Sequence, residues 1–120
     1  KKNNTTMRKI LYFTSIAIFL SSCSATKGLY SWSNYENATY SYLKKEDEKS
    51  IEGVIEEYTK IIGDQKKGLR GIPPPGIHAD YGFFLMKQGN IKDAKLNLKK
   101  EISIYPESKI FIDRILKMME

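Results

Sequence analysis

Two side chains in this chain are chemically singular: Cys23 is the only cysteine and His78 the only histidine. A thiol can be alkylated to a stable thioether, and Cys23 closes the run Leu20-Ser21-Ser22-Cys23, whose serines are small enough for a peptidase subsite. His78 lies in His78-Ala79-Asp80. Residues two apart do not share a helix face, so this pair cannot act as a dyad without distortion. It reads instead as a polar helix start, where the helix dipole favours Asp80. There is no His-Glu-x-x-His pattern, second metal-ligand set or nucleophile elbow. Gly68-Leu69-Arg70-Gly71 lacks the Gly-Lys-Ser/Thr ending of a phosphate loop. The expectation is a non-enzymatic protein with no catalytic residues, no metal and no small-molecule substrate.

The residues around Cys23 give the thiol its context. Arg8 and Lys9 supply a positive segment, and Ile10 to Leu20 an apolar run of about eleven residues. A spanning helix needs roughly 20. Charge, apolar run, small residues and cysteine therefore stand in the order of a cleaved secretory signal, residues 1–22. Met7 is its functional start, because Lys1 to Thr6 add nothing such a signal needs. Leu20-Ser21-Ser22-Cys23 resembles the bacterial lipobox, in which the cysteine receives a diacylglycerol and, after cleavage, an N-acyl lipid such as palmitate. Two or three chains suffice for stable anchoring. Ser24, where lipoproteins of this kind carry Asp when retained in the inner membrane, implies the cell outer membrane, with the domain facing the periplasm.

Removing residues 1–22 also changes the electrostatics. The formal charge is +6, but Lys1, Lys2, Arg8 and Lys9 leave with the signal and no acid does. The mature chain keeps 16 basic and 14 acidic residues, about +2. Nucleic acid is thereby excluded as a partner, since phosphate binding needs a concentrated basic footprint. With its cysteine lipidated the domain has no disulfide, and a core of this size must rely on helix packing.

Residues 23–33 form a lipidated tether, whose ten residues after Cys23 reach at most about 35 Å. The folded domain then spans 34–120. Ser33 and Glu36 have the spacing of a capping box, with Tyr35, Ala38, Tyr42 and Leu43 on one face of the helix that follows. Lys44 to Lys49 is a charged connection or helix start. Ile51, Val54, Ile55, Tyr58, Ile61 and Ile62 make the clearest apolar stripe, ended by Gly63-Asp64. After a glycine- and proline-rich loop a third helix starts around Pro75, and Tyr81 to Met86 is apolar nearly all round. Asn90 caps a fourth helix with Ile91, Ala94, Leu98, Ile102 and Tyr105 on its face, and Pro106 stops it. A fifth, Ser108 to Met119, turns Phe111, Ile112, Ile115, Leu116 and Met119 inward. No strand is expected. The fold class is all-α.

Residues 75–108 carry a repeat signature. Gly82, Gly89, Ile91, Ala94, Leu98 and Pro106 fall at the spacing of a tetratricopeptide repeat, and the unit is about 34 residues long. Gly82 and Ala94 are small where two antiparallel helices cross, Gly89 turns the chain, and Leu98 fills the groove. Glu101 departs from the pattern, because a small residue is expected there. Its carboxylate is either tilted outward or paired. Residues 34–63 look like a degenerate first helical pair.

Taken whole, the chain is similar to a family of small bacterial lipoproteins whose domain has no assigned function. Tyr30-Ser31-Trp32, Tyr35-Glu36, Pro75 to Gly82, Lys100-Glu101 and Tyr105-Pro106-Glu107-Ser108 carry the resemblance. It implies association with a curli-secretion-channel-like (CsgG-type) lipoprotein and another small lipoprotein, and no known activity. The aromatic group Tyr30, Trp32, Tyr35, Tyr40 and Tyr42 either packs the tether on the first helix pair or forms a docking surface. The candidate partner contacts are Trp32, Tyr35, His78, Tyr81 and Glu101. The leading expectation is an outer-membrane-anchored interaction or assembly module. The rival is a pilotin-like carrier that localises an outer-membrane subunit.

Overall fold

The computed structural model describes residues 2–20 and 26–120, with side chains for 3–12 and 26–120. Ser21, Ser22 and Cys23 lie outside the described residues, as does the Leu20 side chain. Six α-helices follow one another: α1 Lys2–Leu20, α2 Tyr35–Lys45, α3 Glu48–Gly63, α4 Ile77–Lys87, α5 Ile91–Ile104 and α6 Lys109–Met118. There is no strand among the described residues, so the architecture is all-helical, as the periodicity requires. Among them, too, no helix is long and apolar enough to cross a membrane.

Helices α2 and α3 form one antiparallel hairpin, α4 and α5 a second, and α6 closes on α5. The core runs between the hairpins. Val54, Tyr58 and Ile61 from α3 pack with Ile77 and Phe84 from α4, flanked by half-buried Tyr35, Ala38 and Tyr42 from α2. The second hairpin is the tighter. A Cβ on Gly82 would stand 3.0 Å from the Ala94 carbonyl oxygen and 3.1 Å from Leu98 Cγ, so any larger residue would force the two helices slightly apart. Gly89 takes φ +80° at the turn, and the Asn90 side chain accepts from the Asp93 N–H as the cap of α5.

Several helix ends and faces differ from the sequence expectation. Ser33 takes φ +47° instead of capping, and α2 is entered through Asn34, whose N–H donates to Glu57 Oε1 at 2.7 Å. The cap comes from across the hairpin. The third helix starts at Ile77, two residues after Pro75, because Gly76 takes φ +88° and breaks the helical path. Leu43 and Phe111 lie on outer faces, 70% and 64% exposed, and Phe83 and Ile91 also reach solvent. At α6 the single buried residue is Ile112, and the rest of the helix is left partly or fully exposed because among the helices α6 packs chiefly on α5.

The segment expected to be a free tether is partly fixed. Leu69 N–H donates to the Gly28 carbonyl and Arg70 N–H to that of Leu29, both at 3.0 Å. A Cβ on Gly68 would stand 2.7 Å from Tyr30 Cα, so the two backbones touch. Arg70 Nη1 donates to the Tyr30 hydroxyl at 2.9 Å and lies over its ring. Tyr105, at the end of α5, anchors the loop by donating its hydroxyl to the Pro73 carbonyl at 2.7 Å. These contacts clasp residues 28–30 to the loop between the hairpins.

Candidate docking site

Tyr58 on α3 is the hub of a row of rings. It is buried, and it stands 6.0 Å from Tyr35 and 6.2 Å from Tyr81, centroid to centroid. Tyr35 stands 5.4 Å from Trp32, which continues to Tyr30 at 6.5 Å. These spacings are those of favourable tilted and edge-on ring pairs. Three of the five candidate contacts, Trp32, Tyr35 and Tyr81, thus belong to one connected row of rings. Trp32 is 46% exposed, while Tyr35 and Tyr81 are half-buried. Beside Trp32 an open cleft of about 500 Å³ is lined by residues 32–37.

Tyr58 was legible in the sequence only as one residue of an apolar stripe. Its role as hub depends on α4 delivering Tyr81 and Phe84 to its other side, with Phe84 at 5.8 Å. Burial, then the nearby Asp80 carboxylate and Tyr35, push the Tyr58 hydroxyl far above its ordinary range, so it stays protonated. Asp80 is itself held above the usual carboxylate range, first by its low-polarity surroundings and then by Glu101, with Tyr58 opposing. The row is therefore a neutral, amphipathic face with one carboxyl at its edge.

His78 and Glu101 are buried between α4 and α5 and do not belong to an exposed contact surface. They are 4% and 3% exposed. Glu101 Oε1 accepts from the Gly76 N–H at 2.7 Å and Oε2 from the His78 N–H at 3.2 Å. Its carboxylate is paired rather than tilted outward, and it caps the N-terminus of α4, where the dipole favours a negative charge. His78 Nδ1 stands 2.9 Å from Asn97 Oδ1, and Asn97 Nδ2 donates to the Asp93 carbonyl at 3.0 Å. That second bond orients the amide, so the proton between the two side chains sits on His78 Nδ1. Burial pushes the His78 pKa down, with Asn97 opposing and Lys100 reinforcing. The imidazole is held neutral and internally bonded.

Chemically, this arrangement can bind and hold. Asp80 and His78 are not bonded to each other. Among the described residues no three His, Cys, Asp or Glu side chains converge to hold a metal ion.

The comparisons with known proteins bear on both ends of the chain. The family model described as a domain of unknown function, DUF4810, matches residues 29–115. The model for a prokaryotic membrane lipoprotein lipid attachment site matches residues 7–24, which include Leu20, Ser21, Ser22 and Cys23. Neither a curated protein nor a solved structure matches the chain.

Proposed function

Because the chain belongs to the DUF4810 family and carries a lipoprotein lipid attachment site, we propose that this membrane-anchored lipoprotein is a docking module at the outer membrane. It faces the periplasm and binds another lipoprotein or a channel of the curli-secretion (CsgG) type through Trp32, Tyr35 and Tyr81. The observation that carries the reading is the ring row. Tyrosine and tryptophan supply large amphipathic contact area at low entropic cost, and here they are fixed by a buried hub rather than free. The helical pairs act as a tetratricopeptide-like scaffold for that row. Cys23 carries the diacylglycerol and N-acyl lipid, and Leu20-Ser21-Ser22 is read by the signal peptidase.

The test is co-purification of the detergent-solubilised lipoprotein from membranes. A stable complex with a channel-type lipoprotein that is lost in Trp32→Ala/Tyr81→Ala supports the proposal. A complex unaffected by those changes contradicts the site. A partner that mislocalises in Cys23→Ala but never co-purifies favours the carrier reading instead.

A further inference from the structure

The clasp between residues 28–30 and 68–70 shortens the length of chain between Cys23 and the folded domain. An unfixed tether of ten residues spans at most about 35 Å, but the first clasped residue is Gly28, only five residues past Cys23. Five residues span about 17 Å. The clasp must therefore sit within one or two helix diameters of the acyl chains.

The surface held there has the composition of a bilayer contact. Leu29 and Leu69, brought together by the two backbone hydrogen bonds, are 60% and 63% exposed. Lys27, Lys66, Lys67 and Arg70 lie within three residues of them in the two clasped segments, and residues 26–33 and 65–72 contain no Asp or Glu. Lys27 Nζ donates to the Lys66 carbonyl at 3.4 Å, which brings Lys27 against the Lys66 backbone. Asp64, just before the loop, engages Lys67 at 2.7 Å, and the two segments themselves remain positive. Apolar side chains flanked by cations suit the headgroup boundary of an anionic leaflet.

We infer that this clasp is a second, non-covalent membrane contact, with Leu29 and Leu69 entering the interface while Lys27, Lys66 and Arg70 meet phospholipid phosphates. It orients the domain, so the ring row, which begins at Tyr30 of the clasp, is held near the membrane rather than turning freely. The inference rests on acylation at Cys23, which palmitate labelling checks separately. It does not depend on any protein partner.

The experiment uses the full acylated lipoprotein reconstituted in vesicles of phosphatidylethanolamine with phosphatidylglycerol, with no other protein present. Acylation blocks the only native thiol, so a nitroxide can be placed singly through Leu69→Cys or Phe111→Cys. The label at 69 should be several-fold less accessible to a water-soluble relaxing agent than the label at 111. Lys66→Gln should weaken the docked orientation about fivefold. Trp32, the sole tryptophan, should be quenched by lipids brominated near the headgroup, and Leu29→Asp should abolish that quenching. Equal accessibility at 69 and 111 overturns the inference. Protection of the label at 69 only after membrane proteins are added also overturns it, in favour of a protein contact at this face.

Discussion

The two helical hairpins are built to one plan and tightened to different degrees. In each, a buried glutamate on the second helix reaches across to the start of the first: Glu57 takes the Asn34 N–H, and Glu101 takes those of Gly76 and His78. One interval separates Ser50 from Ala94, Val54 from Leu98, Glu57 from Glu101 and Ile61 from Tyr105, and all eight are buried. The hairpins diverge in their first helices. Helix α4 buries five residues and is pressed against α5 at Gly82, whereas α2 fully buries none. The second hairpin is closed along both helices, whereas the first contributes α3 to the core and leaves the half-buried rings of α2 at one edge.

The comparison predicts unequal costs for equal substitutions. Glu101→Ala leaves two donors uncapped, one of them buried, and should cost about 3 kcal/mol, while Glu57→Ala uncaps one part-buried donor and should cost about 1 kcal/mol. Chemical denaturation of the two variants measures the difference, and equal costs would end the distinction between the hairpins. Gly82→Ala forces a Cβ into the Ala94 carbonyl and should cost about 1–3 kcal/mol by overpacking, read as a lower denaturation midpoint. Gly53, which has open space at its Cβ on α3, should tolerate alanine and gain helix propensity.

A smaller effect concerns pH. The folded state holds His78 below its ordinary pKa, so the unfolded chain takes up the proton first. Its stabilising contribution is complete above the unfolded value of about 6.5 and falls as pH drops through the window below it, levelling once the folded imidazole also protonates. Thermal melts of the wild type should therefore lose more stability on mild acidification than those of His78→Asn, whose amide can replace Nδ1–H. Identical pH profiles would show that the imidazole is not held neutral. Smallest of all, Trp32→Ala should change stability by only about 0.5 kcal/mol, since nearly half of the residue is exposed and its ring contacts lie at the edge of the row, yet weaken docking at least tenfold.

How much of this was legible in the sequence follows from the range of each interaction. The α3 stripe, the Asn90 cap and the small crossing pair Gly82 and Ala94 are local or rest on helical spacing, and they appear in the structure as read. The cap of α2 was assigned to Ser33 because a capping box is a local pattern. The carboxylate that serves it belongs to Glu57, 23 residues along the chain, and no local rule reports it. Glu101 stood out as a misfit to its repeat for the same reason, since its partners lie on the preceding helix. Leu43 and Phe111 matched apolar spacing at positions that no neighbouring helix covers. The clasp escaped notice because the loop glycines read as turns, whereas Gly68 is there to let two backbones meet.

The division between a closed hairpin and a docking edge is tested most directly by site-specific photocrosslinking in intact membranes. A photoreactive residue placed at Trp32 should capture an envelope protein, whereas one at Ile110, equally apolar and 73% exposed on α6, should not. Capture from Ile110 with none from Trp32 would contradict the account and move the docking face to the far end of the molecule.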